Sequence, residues 1–199
     1  MAYTRSLKNL IAEFGKLPGI GNKTAERLGF YILNVSHGEA MNLADAIAEV
    51  KNNVKRCKMC FNIADEELCD ICSNPRRDHS TICVVEQTKD LISLEKTATY
   101  QGLYHVLMGR LAPLENQHLE TTTIKELIER SKNEEVKEII LATNPNIEGD
   151  ATALYIREQL ESFPVKISKI ARGIPTGGSI EFANQAMLSD ALSGRQDFK

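Results

Sequence analysis

Thr81-Ile82-Cys83-Val84-Val85-Glu86 is a β-branched apolar run of strand length that stops at a carboxylate. Apolar side chains at consecutive positions, not alternate ones, are what a strand buried on both faces requires. The pattern recurs in Glu138-Ile139-Ile140-Leu141-Ala142, a third strand is expected over 165–170, and a shorter one around Tyr104-His105-Val106-Leu107. Helical segments are expected between them, over 88–96, 122–131 and 150–160. Strands alternating with helices imply a parallel sheet covered by helices, because a parallel connection must cross back over the sheet. The fold class is therefore α/β.

Upstream of this block lie Cys57-x-x-Cys60 and Cys69-x-x-Cys72, in a chain with five cysteines. A C-x-x-C turn brings two thiolates within reach of one ion, and two such turns complete a tetrahedral site for Zn²⁺. Four thiolates leave no open position, so the site is structural in kind. The segment between the pairs is too short and polar to bury a core of its own, so metal binding would stabilise it. The alternatives are a pair of disulfides or four free thiols. Cys83, inside the first strand, reads as a small buried apolar residue and not a fifth ligand.

Composition narrows the function. The start MAYTRSLKNL lacks the apolar run of a secretory signal, and no stretch approaches the length of a membrane helix. A reducing cytoplasm is the expected location, where paired cysteines bind metal more often than they oxidise. Formal net charge is −3, so any phosphate contact must come from a local patch. The histidines, His37, His79, His105 and His118, form no ligand spacing and are assigned no role.

The first third reads as helix. Leu7, Leu10, Ile11 and Phe14 recur at helical spacing until Leu17-Pro18-Gly19-Ile20-Gly21 breaks the pattern. A helix resumes at Asn22 with Ala25, Leu28, Gly29 and Ile32 on one side, and another is expected over 39–56 with Leu43, Ile47, Val50 and Val54 as its buried stripe. Gly19 and Gly21 permit a tight turn that exposes backbone N–H groups at a helix N-terminus, where the dipole favours an anion. Lys23 and Arg27, one turn apart, would flank a phosphate without reading sequence. This segment resembles a helix-hairpin-helix DNA-binding motif; the alternative is an ordinary helix–helix turn. Residues 1–56 hold eight Lys/Arg against five Asp/Glu, a local +3 within an acidic chain.

Glu86 ends one core strand, and Asn144-Pro145-Asn146 with Glu148 and Asp150 follows another, at the sheet edge where α/β proteins place working residues. The block resembles a Toprim domain, in which a strand-end Glu and an Asp-x-Asp hold Mg²⁺. Here Asn144 and Asn146 stand where the aspartates would be. Mg²⁺ is a hard ion held through carboxylates, so a cutting site is not expected. Glu86, Glu148 and Asp150 could hold a weak ion or meet a partner. Helix capping is the alternative role for these acids, for Asp150 in particular.

Taken in order, the Leu17–Gly21 turn, the four cysteines, Ile82 to Glu86, Thr143-Asn144-Pro145 with Glu148-Gly149, and Arg172-Gly173-Ile174-Pro175 with Gly177-Gly178 resemble the bacterial recombination mediator family RecR over nearly the full chain. The resemblance implies a parallel Toprim-type sheet behind an all-α helix-hairpin-helix head and a four-cysteine zinc knuckle that fixes the head relative to the body. It divides the chain into head 1–56, zinc finger 57–79, Toprim domain 80–172 and Gly-rich, Walker-B-like tail 173–199. It implies a non-enzymatic clamp for double-stranded, single-stranded and gapped DNA, a ring-shaped homotetramer without membrane contact. Such clamps work with RecO and RecF in DNA repair and recombination to help load RecA on single-stranded DNA. DNA contact falls to Gly19, Gly21, Lys23 and Arg27, zinc to Cys57, Cys60, Cys69 and Cys72, and partner contact to Glu86, Glu148 and Asp150.

Two rivals stay open: a Toprim nuclease using Glu86 with a metal, and an adaptor that never touches DNA. In the tail Glu181 is kept, but Asn184 replaces an expected acid and no phosphate loop exists anywhere, so nucleotide hydrolysis is not expected. A helix over 180–192 that packs on a neighbouring subunit is the simpler role.

Overall fold

The computed structural model describes residues 3–112 and 119–197. It forms two compact units, Met1–Val54 and Lys55–Lys199.

The first unit is helical: α1 (Arg5–Gly15), α2 (Asn22–Asn34) and α3 (His37–Asn53). Side-chain caps set two of the starts. Thr4 accepts from Leu7 N, and Ser36 accepts from Glu39 N at 3.2 Å, each satisfying an N–H that the helix itself cannot. Helices α1 and α2 pack together, burying Ala25 and Gly29 of α2. The stripe on α3 departs from expectation. Leu43, Ile47 and Val50 are 44%, 58% and 59% exposed, so the periodicity is present but none of the described residues of the unit covers it.

The second unit opens with β1 (Lys55–Arg56), antiparallel to β2 (Ile63–Ala64), then α4 (Asp70–Ser73). The α/β body follows as β3 (Asp78–Val85), α5 (Thr88–Glu95), β4 (Gly102–Val106), α6 (Ile124–Arg130), β5 (Glu138–Leu141), α7 (Ile147–Gln159) and β6 (Lys166–Lys169). Its four strands are all parallel in the order β4-β3-β5-β6. Central β3 is buried on both faces, as its unbroken apolar run requires. Ile82 and Val84 join a core with Ile124, Leu127, Ile139 and Ile156, while Cys83 and Val85 face Leu91, Tyr104 and Val106.

The C-terminal segment is not one helix over 180–192. A 3-10 turn at Ile180–Phe182 is separated from α8 (Gln185–Ser193) by Asn184, whose side chain accepts from Met187 N at 2.9 Å. Asparagine competes with helical hydrogen bonding in mid-helix and favours the capping position, so the chain restarts there. Among the described residues no helix is long and apolar enough to cross a membrane.

Candidate metal centre and nucleic-acid interface

The four cysteines of the two C-x-x-C pairs converge. Their sulfurs lie within 4.8 Å of one another and all four residues are buried. Backbone hydrogen bonds shape both turns. Cys57 N donates to Asn62 O at 2.7 Å and Phe61 N to Cys57 O at 3.0 Å, with Phe61 left-handed at φ 63 so that the chain can double back. The second pair is carried into place by α4, whose N-cap is Cys69 and whose Ser73 N donates to Cys69 O.

Such crowding dictates the proton chemistry. The hydrogen bond to Cys69 holds the Cys60 thiol up at about 12, and contact with Cys60 and Cys69 pushes Cys72 up as well. Cys69 is held down by the Cys60 and Cys72 thiols and by the N–H groups of Cys72 and Ile71. Four sulfurs this close cannot all ionise without a cation among them. The Cys60–Cys69 sulfur separation of 3.5 Å is far too long for a disulfide, whose S–S bond is about 2.05 Å. It suits a tetrahedral ion instead, since metal–sulfur bonds of about 2.3 Å put ligand sulfurs roughly 3.8 Å apart. Cys83 stays outside this group, and burial alone pushes its thiol up to about 12.

In the head, Leu17 to Gly21 forms a turn in which Ile20 N donates to Leu17 O at 3.1 Å. Gly19 sits at φ 78, a conformation that costs a side-chain-bearing residue but not glycine. Gly21 is the N-cap of α2 and has no side chain to satisfy the first N–H groups of that helix. Lys23 and Arg27 are exposed one turn apart beside this open end. The expected DNA residues are thus gathered on one helix start.

The expected acids of the body meet three different fates. Glu86 is 2% exposed, with Oε1 accepting from Asn144 N at 2.7 Å and Oε2 from Asn144 Nδ2 at 2.8 Å. Asp150 accepts from Lys169 Nζ at 2.5 Å and from both Arg172 terminal nitrogens at 2.5 and 2.9 Å. The Arg172 fork holds its carboxyl down at about 2. Glu148 is half-buried in the first turn of α7, where Asn146 serves as the cap by accepting from Gly149 N at 2.7 Å. The two asparagines that replace metal-binding aspartates therefore have structural partners of their own. Sequence reasoning foresaw the substitutions but not these partners, which depend on the β3 and β5 ends lying side by side.

His37 and His79 are exposed, and His118 lies outside the described residues. His105 is buried; its Nε2–H donates to Thr123 O at 3.0 Å, and burial drives it down to about 3, a neutral core residue.

Comparison with known proteins matches this architecture segment by segment. Residues 7–51 match the helix-hairpin-helix domain of RecR, residues 54–74 the RecR zinc finger domain of the four-cysteine type, and residues 80–171 the Toprim domain. The chain is 48% identical over 191 residues to the recombination protein RecR of Rhodopirellula baltica, covering 96% of each chain. It is 46% identical to those of Rubrobacter xylanophilus and Bifidobacterium adolescentis, covering 98% of each chain in both cases. A helical head, a four-cysteine centre and a parallel sheet whose strand-end acid is tied to an asparagine thus occur together in a protein that belongs to the RecR family of recombination proteins.

Proposed function

We propose that the chain is a non-enzymatic DNA clamp of recombinational repair that acts in the cytoplasm. It would assemble as a ring-shaped homotetramer and work with proteins of the RecO and RecF type to help load RecA on gapped or single-stranded DNA. The observation that carries the DNA-binding part is the start of α2. Gly21 leaves its N–H groups without a side-chain cap, and Lys23 and Arg27 stand exposed one turn apart on the same side of the helix. A phosphate fits this place by dipole, hydrogen bond and charge together.

Zinc is the ion that the knuckle would hold, because four buried thiolates at tetrahedral spacing suit a soft-accepting divalent metal with no redox chemistry. Cys57, Cys60, Cys69 and Cys72 would be its ligands, and its chemistry there is to organise the loop. The absence of cutting rests on Glu86. Both its oxygens accept from Asn144 and the residue is nearly buried, so a hard ion would compete with these bonds at a site where positions 144 and 146 supply amides and not carboxylates. Glu148, and Asp150 where a basic partner competes with Lys169 and Arg172, would offer the acidic contact surface. Head 1–56, finger 57–79, body 80–172 and tail 173–199 are the working parts of this clamp.

The test is Lys23→Ala combined with Arg27→Ala, measured as binding to gapped duplexes across a salt series. Binding should weaken evenly across sequences, and the slope of log affinity against log salt should fall by about 0.9 for each duplex phosphate no longer neutralised. Unchanged affinity and slope would place the DNA-binding surface elsewhere.

A further inference from the structure

The cysteine knuckle is fastened to the edge strand of the sheet. Val106 N on β4 donates to Cys60 O at 2.8 Å, and Phe61 meets the ring of His105 edge-on at 5.3 Å. Ile71, between Cys69 and Cys72, packs both among the cysteines and against the core cluster that contains Tyr104 and Val106. The metal centre therefore rests over β4.

Arg130, the last residue of α6, reaches the same strand from the body. Its Nη1 donates to Tyr104 O at 2.7 Å, two residues before the point where Cys60 is anchored. Its Nη2 is buried and makes no hydrogen bond among the described residues. The side chain lines a cavity of about 290 Å³ together with Leu103 of β4 and Met59, which lies between the cysteines of the first pair. Burial disfavours the charged guanidinium here, while Cys72, Cys60 and Cys57 favour it.

These facts have one electrostatic meaning. A divalent ion in four thiolates carries a formal charge of about −2. Buried charge is costly unless an opposite charge lies near it. A guanidinium can bond a carbonyl with one arm and leave its other arm and its charge unspent, and here that charge borders the cavity lined by Met59, between Cys57 and Cys60. We infer that Arg130 is the charge-compensating partner of the four-thiolate centre, a positioning residue supplied by the α/β body that slows loss of the metal and couples the knuckle to α6. The inference rests on the zinc reading above and adds to it a residue outside the cysteine motif.

The experiment compares zinc content and the rate of zinc release to a chromogenic chelator in wild-type protein and three variants. Arg130→Gln keeps a donor for Tyr104 O but removes the charge, Arg130→Lys keeps the charge without the fork, and Lys125→Met on the exposed side of α6 is the control. Outer-shell changes at metal sites cost roughly 10- to 100-fold. Arg130→Gln should release zinc at least about tenfold faster, Arg130→Lys should stay within about threefold of wild type, and the control should be unchanged. In the Co²⁺-substituted proteins the glutamine variant should keep tetrahedral d–d bands but show its sulfur-to-metal charge-transfer band at lower energy, since uncompensated thiolates give up electrons more readily. A purely structural tether predicts instead that the lysine and glutamine variants lose metal alike, and that result overturns the inference. So does a glutamine variant that releases zinc at the wild-type rate. If the glutamine variant does not fold, the lysine variant decides: release within about threefold of wild type supports the inference, and tenfold acceleration overturns it. Wild-type protein that binds no zinc would instead defeat the metal reading itself.

Discussion

Glu86 and Asn144 are locked together by two hydrogen bonds, with the backbone and side-chain nitrogens of the asparagine each donating to a different carboxylate oxygen. The pair joins the ends of β3 and β5, which lie side by side in the sheet. A carboxyl held this way has a donor on each oxygen, and its burial needs no metal ion to account for it. At this sheet edge the buried acid is thus bonded to the asparagine that follows β5.

Replacing Asn144 with Asp should therefore harm the fold and not restore a metal site. The substitution removes one donor and sets a second anion against a buried one. We expect Asn144→Asp to lose about 1–3 kcal/mol at pH 7 by urea denaturation. Two facing carboxylates raise the folded-state pKa of one of them, so the loss should shrink as pH falls and that group takes up a proton. Incubating the wild-type protein with supercoiled, nicked and gapped DNA plus Mg²⁺ or Mn²⁺ should give no cleavage products.

Gly149 tests the same neighbourhood sterically. A Cβ there would stand 2.1 Å from Asn144 O and 2.8 Å from Glu86 Oε1, and the first of these is backbone that cannot swing aside. Gly149→Ala should cost at least about 1–3 kcal/mol by forcing the β5–α7 loop away from Glu86. A variant as stable as wild type would mean that the loop is free to move.

Much of this was legible in the chain because local pattern and tertiary role coincide. The unbroken run in β3 announces burial on both faces, and paired C-x-x-C turns announce a metal cage regardless of what surrounds them. Sequence pattern runs out where meaning depends on what meets what. Arg130 looks like any helix-end cation until α6, β4 and the knuckle are brought together. Asn184 carried a usable capping signal, but the apolar residues on both sides of it read as one continuous helix. The stripe on α3 shows the limit most plainly: periodicity says that a face seeks cover without saying from where.

That stripe leads to a prediction about assembly. Ile47 and Val50 are more than half exposed, and contiguous apolar surface of this kind is characteristic of interfaces. Ile47→Lys with Val50→Lys should leave the helicity of the head intact by circular dichroism, because lysine is a good helix former. If a second copy covers this face, light scattering should report a smaller particle for the variant than for wild type. An unchanged mass would assign the stripe to something other than self-association.

Asp150 gives the prediction with a defined pH window. Its carboxyl is held at about 2 by Arg172 first and Lys169 second, against about 3.9 in an unfolded chain. A depressed folded-state pKa adds stability that is fully present above the unfolded value and disappears as pH falls from about 4 through 2. The side chain is 44% exposed, so solvent screens the pair and its worth at neutral pH is at most about 1 kcal/mol. Asp150→Asn should accordingly cost up to that amount at pH 7, and the gap between variant and wild type should close across the same window. Taking the difference between the two proteins at each pH removes the acid-driven loss of metal that both would suffer. A gap that persists at pH 2 would show that Asp150 acts through packing, and that its ion pairs with Lys169 and Arg172 do not hold the start of the tail.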